Sequence, residues 1–148
     1  MRHGEAMSKV QDSERPLTPL GREAVEEVAR LASVRNVQVS RICHSGILRA
    51  KQTAEIFDSH PHSVMGVRSM TGLLPEDDPM IAKAELETAQ QSIMMVGHLP
   101  HMKRLAALLA TGNPDREVVA NFAPATMICF SHSHFQWRIG WILAPGAP

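Results

Sequence analysis

Apolar residues recur at helical spacing in four stretches of the chain. The first stretch has a clear start, because Thr18 can cap a helix and Pro19 suits the first helical position. The apolar residues that follow share one helical face: Leu20, Ala24, Val28, Leu31 and Ala32. The same spacing predicts further helices over residues 47–58, 80–91 and 100–110.

Short apolar runs between these helices predict strands over residues 37–43, 63–68 and 92–96. The last part of the chain has a different rhythm, because apolar and polar residues alternate there with period two. This alternation predicts a hairpin with a polar turn at residues 131–134, and it places one set of side chains on a common face: Phe135, Trp137, Ile139, Trp141 and Leu143.

The order of these elements predicts the fold class. Strands that alternate with helices build a largely parallel sheet that helices cover on both faces. We therefore predict an α/β protein: a three-layer α/β/α sandwich with a mostly parallel sheet and an antiparallel C-terminal hairpin.

Composition adds limits to this picture. With 148 residues, of which 44% are hydrophobic and 20% charged, we expect one globular domain over residues 1–148. No apolar run has the length of a membrane span or a signal peptide, and two cysteines cannot build a disulfide framework, so we expect a cytoplasmic protein with no membrane partner. The net charge is zero and no basic block occurs, which argues against nucleic acid as a partner.

Reactive side chains lie where the predicted strands pass into helices. Arg49 stands in the first turn after one strand, and His98 lies between a strand and the helix that Pro100 begins. If Arg2-His3-Gly4 ends a strand in the same way, two arginines and two histidines meet at the carboxyl edge of the sheet. Arginine matches phosphate oxygens with two parallel N–H groups, imidazole can act as a nucleophile or a donor, and a glycine allows close approach. The combination suits phosphoryl transfer.

Three segments resemble the motifs of the histidine phosphatase superfamily, the phosphoglycerate mutase-like proteins. They are "RHG", "SGILRAKQTAE" with Arg49, and "VGHLP" with His98. The flanking "RPLTPLGREAVEEVARLA" and the closing "WRIGWILAP" are similar to the SixA-type phosphohistidine phosphatase branch.

The resemblance implies a role for each of these residues. His3 would be the nucleophile that takes the phosphoryl group, and His98 would assist catalysis, while Arg2 and Arg49 would hold the phosphoryl oxygens. It implies that no metal and no cofactor is needed. The expected partner is a phosphohistidine-containing protein, such as a phosphotransfer domain, or a small phosphoester.

Two features depart from the family pattern. Relatives carry a central strand before Arg-His-Gly, whereas a single methionine precedes Arg2, so we expect the first strand to be truncated. Many relatives also place a carboxylate in the pocket as general acid. The nearest candidates, Glu76, Asp77 and Asp78, do not match that pattern and also fit a solvated acidic loop.

Two other functions remain open at this stage. "CHSGILR" satisfies Cys-x-x-Gly-x-x-Arg, the phosphate loop of cysteine-dependent phosphatases, with Cys43 as nucleophile and Arg49 as anion ligand, although Ala50 stands where those enzymes carry a hydroxyl. A non-catalytic module that binds phosphate or a metal is the second alternative. Two histidine pairs could chelate: His98 with His101, and His132 with His134.

Overall fold

The computed structural model describes residues 1–146 of the chain. Within them the helices are α1 (Pro19–Val34), α2 (Leu48–Ser59), α3 (Pro79–Thr88) and α4 (His101–Thr111). The strands are β1 (Arg41–His44), β2 (Val67–Ser69), β3 (Ile93–Val96), β4 (Met127–Ser133) and β5 (Gln136–Leu143). None of the helices in this part of the chain is both long enough and apolar enough to span a membrane.

The strands form a parallel sheet and an antiparallel hairpin. The sheet has the order β2-β1-β3, and His44 at the end of β1 pairs with Ser69 on one side and Val96 on the other. The hairpin consists of β4 and β5, with an irregularity in register between Cys129 and Phe130. The predicted fold class is therefore confirmed, with helices packed on both faces of the sheet.

Each face of the sheet has its own apolar core. One core joins α1 and α2 to the sheet, and its fully buried members include Val25, Ala54 and Phe57. The other joins α3 and α4 to the opposite face, with Leu73 and Ala82 fully buried. The three layers hold the carboxyl ends of β1 and β3 side by side.

Residues 1–3 lie between the parallel sheet and the residues that lead into β4. Arg2 pairs with Gly97 in a parallel bridge, and the His3 N–H donates to the Gly97 carbonyl at 3.0 Å. On the opposite side the Arg2 N–H donates to the carbonyl of Thr126 at 3.0 Å. The N-terminal tripeptide thus occupies a strand position between the two sheets, and it places His3 beside the end of β3.

Thr18 caps α1 as predicted, because its hydroxyl accepts the N–H of Gly21 at 2.9 Å. Val28 and Ala32 of the predicted apolar face are fully buried, whereas Leu20 is 69% exposed. The buried face extends instead to Val25 and Ala29. The reason is the contact of Gly21 with the backbone of Glu5, which turns this side of the helix towards the core.

The hairpin turn also differs from the prediction. Strand β4 continues to Ser133, and the turn falls on His134 and Phe135, both with left-handed backbone (φ 51° and 61°). Two left-handed residues make the turn type that matches the twist of a tight hairpin. Phe135 is consequently 97% exposed and does not share the face of Trp137.

Candidate active site

The ring of His3 is held in one tautomer. Its Nδ1 lies 2.6 Å from the carbonyl oxygen of Gly4, which can only accept, so Nδ1 carries the proton and donates it. The lone pair of the imidazole is therefore on Nε2. The side chain is buried, with 8% of its surface exposed. His3 thus presents an unprotonated nitrogen on a buried side chain.

Gly4 fixes the backbone behind His3. Its N–H donates to the Thr53 hydroxyl at 3.0 Å, and that hydroxyl donates to the Arg49 carbonyl at 2.8 Å. A Cβ on Gly4 would lie 2.9 Å from a methyl group of Val25, and a Cβ on Gly21 would lie 2.1 Å from the carbonyl oxygen of Glu5. Because Gly4 and Gly21 have no side chain, the backbone after His3 can pass the start of α1 at a distance that a Cβ atom would prevent.

The ring of His98 faces that of His3. Their centroids are 5.0 Å apart and the planes are inclined by 52°. His98 is 1% exposed, and its Nε2 lies 2.6 Å from the hydroxyl of Ser45. That hydroxyl also accepts the N–H of Ile47 at 3.2 Å. Ser45 therefore ties the orientation of His98 to the start of α2.

Arg2 and Arg49 lie close to the ring of His3, and Arg49 also acts on His98. Arg2 donates from Nη1 to the carbonyl of Phe122 at 2.7 Å, which fixes its guanidinium. The Nε atoms of Arg2 and Arg49 are buried without a hydrogen-bond partner in the described structure. Burial lowers the pKa of each guanidinium. The structure thus brings together all four residues that the sequence singled out: Arg2, His3, Arg49 and His98.

Both histidines are neutral for the same reason. Burial lowers the pKa of His3 to about 4, the contact with the Gly4 carbonyl opposes that shift, and the positive charges of Arg49 and Arg2 reinforce it. Burial lowers the pKa of His98 to about 3, with further contributions from His3 and Arg49. A buried imidazole next to guanidinium groups cannot easily accept another positive charge.

We expect neither ring to take up a proton as the pH falls from about 7 to about 5.5, whereas a histidine in an unfolded chain titrates near about 6.5. NMR titration of the ring Cε1–Hε1 signals of His3 and His98 measures this directly. Because the unfolded chain binds protons in this interval and the native site does not, the free energy of unfolding should decrease as the pH falls from about 6.5 towards 4. A midpoint above about 6 for His3 in anion-free buffer would contradict the assignment of a neutral nucleophile.

Arg15 and Ser45 are site residues that the sequence analysis missed. Arg15 is close enough to lower the pKa of His3, His98 and Arg49. It has a left-handed backbone (φ 50°) and donates from Nε to the carbonyl of Met7 at 2.9 Å. Its position in "RPLT", just before the cap of α1, was the available signal.

The acidic residues considered as general acids have other roles in the structure. Asp78 caps α3 by accepting the N–H of Met80 at 2.9 Å, and Asp77 accepts the N–H of Leu74 at 2.9 Å. The side chain of Glu76 is exposed. These contacts match the solvated acidic loop and give no evidence for a general acid.

The cysteine alternative does not fit the geometry. Cys43 is 1% exposed and packs in the apolar core under α3 and α4, with Leu73 and Met102 among its neighbours. A thiol in such surroundings does not face an anion site. Arg49 belongs to the cluster of His3 and His98 instead.

The two histidine pairs of the metal alternative lie in different surroundings. His101 is fully buried, whereas His132 stacks on Trp137 with ring centroids 4.4 Å apart. Within residues 1–146 no group of three or more histidine, cysteine or acidic residues is arranged to hold a metal ion.

A family model and a known protein similar to this chain point to the same family. Residues 1–73 match the model of the histidine phosphatase superfamily (branch 1). The phosphohistidine phosphatase SixA of Escherichia coli (strain K12) is 28% identical over 145 residues, covering 94% of this chain and 90% of that protein.

Solved structures agree over nearly the whole length. A structure of the protein histidine phosphatase SixA complexed with tungstate superimposes with a TM-score of 0.82 at 26% identity, covering 98% of this chain and 94% of that one. The α-ribazole phosphatase of Shigella flexneri has a TM-score of 0.74 at 15% identity, with 99% and 94% coverage, a likeness of fold alone.

Proposed function

Because the chain belongs to the histidine phosphatase superfamily, where it resembles the SixA-type branch, we propose that it removes a phosphoryl group from a histidine of a partner protein. His3 is the nucleophile in this proposal. The observation that carries it is the hydrogen bond from Nδ1 of His3 to the Gly4 carbonyl, which leaves Nε2 unprotonated beside Arg2, Arg49 and His98. A phosphatase whose covalent intermediate is a phosphohistidine needs such a nitrogen.

In the first step Nε2 of His3 attacks phosphorus. A new N–P bond forms, the N–P bond of the substrate breaks, and its electron pair returns to the substrate imidazole. Arg2 and Arg49 bind the phosphoryl oxygens and stabilise their charge as it spreads in the transition state. His98 stands beside the reacting ring and contributes a neutral donor, since its pKa of about 3 keeps it uncharged.

The phosphorylated ring of His3 carries a positive charge, because Nδ1 keeps its proton while Nε2 is bonded to phosphorus. The Gly4 carbonyl at 2.6 Å from Nδ1 lies where it stabilises this charge. In the second step water attacks phosphorus, the bond to Nε2 breaks, and both protons of the water leave with the phosphate as dihydrogen phosphate. His3 returns to its neutral form.

The leaving group decides the substrate class. Transfer between two imidazoles replaces one N–P bond by another, and a substrate ring protonated on its second nitrogen leaves as neutral imidazole without help from an acid. An alkoxide, in contrast, needs a proton as it leaves. Since Asp77 and Asp78 are engaged by backbone N–H groups, a phosphohistidine suits this site better than a phosphoester.

We expect kcat/KM for a phosphorylated phosphotransfer domain to exceed that for 3-phosphoglycerate or phosphoserine by about 10²-fold, the lower end of what a general acid supplies. The three substrates are compared at the same pH and ionic strength, with release of inorganic phosphate as the signal. A different protein domain, phosphorylated on aspartate, controls for recognition of a protein surface. A preference for either phosphoester would disprove the substrate class, while labelling of His3 would still test the nucleophile.

A further inference from the structure

The two histidines of the site differ in the group that supports each ring. Nδ1 of His3 faces the Gly4 carbonyl, which can only accept a hydrogen bond. Nε2 of His98 faces the Ser45 hydroxyl at 2.6 Å, and a hydroxyl can both donate and accept. The hydrogen bond made by one ring nitrogen decides which nitrogen of a neutral imidazole carries the proton. The direction of the Ser45 contact therefore decides what His98 can offer to a ligand.

The turn after β1 limits what the Ser45 hydroxyl can do. Its oxygen already accepts the N–H of Ile47 at 3.2 Å, while the intervening N–H, that of Gly46, donates to Nδ1 of His44 at 3.0 Å. Within residues 1–146 the one acceptor at hydrogen-bond distance from the Ser45 hydroxyl is Nε2 of His98. If the hydroxyl donates to Nε2, the lone pair of His98 lies on Nε2 and its proton lies on Nδ1.

Nδ1 of His98 is buried and has no hydrogen-bond partner in the part of the chain that the structure describes. Nε of Arg2 and Nε of Arg49 are in the same state, and the ring of His98 lies 5.0 Å from that of His3. Buried polar groups almost always have hydrogen-bond partners, so three unpaired nitrogens around His3 indicate a ligand that accepts hydrogen bonds. A phosphoryl group has such oxygens. An Nδ1 without a proton would instead be a buried acceptor that no donor reaches.

We propose that Ser45 is a positioning residue that holds the proton of His98 on Nδ1, and that this N–H donates to the phosphoryl group. The second half of this statement rests on the proposed function, whereas the position of the proton does not. His3 has its proton engaged by a carbonyl and its lone pair free, while His98 has its lone pair engaged by a hydroxyl and its proton free. Two neutral imidazoles thereby become one nucleophile and one hydrogen-bond donor.

¹⁵N NMR of the full chain in anion-free buffer measures where the proton of His98 lies, because protonated and unprotonated ring nitrogens resonate far apart. We expect the proton on Nδ1. In Ser45→Ala the proton should be shared between the two nitrogens, whereas Ser45→Thr keeps a hydroxyl and should keep the proton on Nδ1. Ser33→Ala is the matched control, since the Ser33 hydroxyl lies 3.4 Å from Nε2 of His62, a buried histidine outside the site. It should leave His98 unchanged.

Inorganic phosphate tests whether Nδ1–H of His98 binds the anion. In Ser45→Ala we expect the affinity for phosphate to fall about 10-fold, as when one hydrogen bond to a charged group is lost. The value of kcat/KM for a phosphohistidine protein should fall by about 10²-fold, the scale of one donor to the transition state. Ser45→Thr should restore both values, and Ser33→Ala should change neither.

Two results would overturn the proposal: a proton on Nε2 of His98 in the unmodified chain, or a phosphate affinity that Ser45→Ala leaves unchanged. A lower Tm of Ser45→Ala with the proton still on Nδ1 would also contradict it, because Ser45 would then act only through its contact with Ile47. The position of the proton and the binding of phosphate are both measured without turnover. They can therefore be decided even if the proposed substrate class is wrong.

Discussion

Replacing His3 by alanine should reduce turnover on the order of 10⁵-fold, the scale seen when the nucleophile of a covalent mechanism is removed. The substitution removes the atom that carries the phosphoryl group, so the phosphoenzyme trapped with labelled substrate should disappear as well. Rapid quenching of the enzyme with labelled phosphohistidine protein, followed by denaturing gel electrophoresis, measures both. The label on the unmodified chain should be acid-labile and stable in alkali, as a phosphoramidate is.

Cys43→Ala provides the matched control for this experiment. The thiol packs among apolar side chains, so alanine keeps the surroundings apolar and leaves His3 in place. The label should persist in Cys43→Ala and retain its acid lability. Loss of the label in Cys43→Ala together with its survival in His3→Ala would show that Cys43, and not His3, is the nucleophile.

Arg49→Ala should lower kcat/KM by about 10³-fold while leaving the fold intact, because a positioned cation at a phosphoryl group contributes mainly to the transition state. Its Nε has no partner in the described structure, so alanine breaks no hydrogen bond from that atom. Steady-state kinetics with a phosphohistidine protein and thermal unfolding measure the two effects separately. A large fall in Tm with full activity per folded molecule would show that Arg49 supports the fold instead.

The pKa of His3 gives a second measurement for Arg49. The guanidinium contributes to lowering that pKa, so the NMR midpoint of His3 should rise in Arg49→Ala. Arg30→Ala is the control, since Arg30 is an exposed arginine on α1. It should change neither the midpoint nor kcat/KM. An unchanged midpoint in Arg49→Ala would place the guanidinium too far from His3 to act on a shared phosphoryl group.

Local patterns in the sequence were sufficient for most of the fold. Thr18 and Pro19 marked the start of α1, the apolar run at residues 92–96 predicted β3, and the period-two alternation predicted the hairpin of β4 and β5. Because Arg49 and His98 follow predicted strands directly, we expected them at the carboxyl edge of the sheet, and the structure has them there. These features depend on neighbours in sequence, or on the general geometry of parallel sheets.

The features that were missed depend on contacts between distant segments. Leu20 was predicted to be inside, but Gly21 is the residue of this turn of α1 that contacts the backbone of Glu5, and Leu20 is exposed. Arg15 reaches the site because a loop with left-handed backbone directs it there, and no periodicity reports that. Ser45 matters through its hydrogen bond to His98, more than fifty positions away. No local pattern carries such information.

The close packing of Gly4 against the start of α1 affects the reorganisation energy of the reaction. Gly4 packs against Val25 and Gly21, and the ring of His3 is hydrogen-bonded to the Gly4 carbonyl, so the nucleophile is already in position before substrate binds. A group that is already positioned costs little reorganisation energy during the reaction. Access to Nε2 therefore selects substrates in addition to the leaving group, because the phosphorylated side chain has to reach a nucleophile that is held in place.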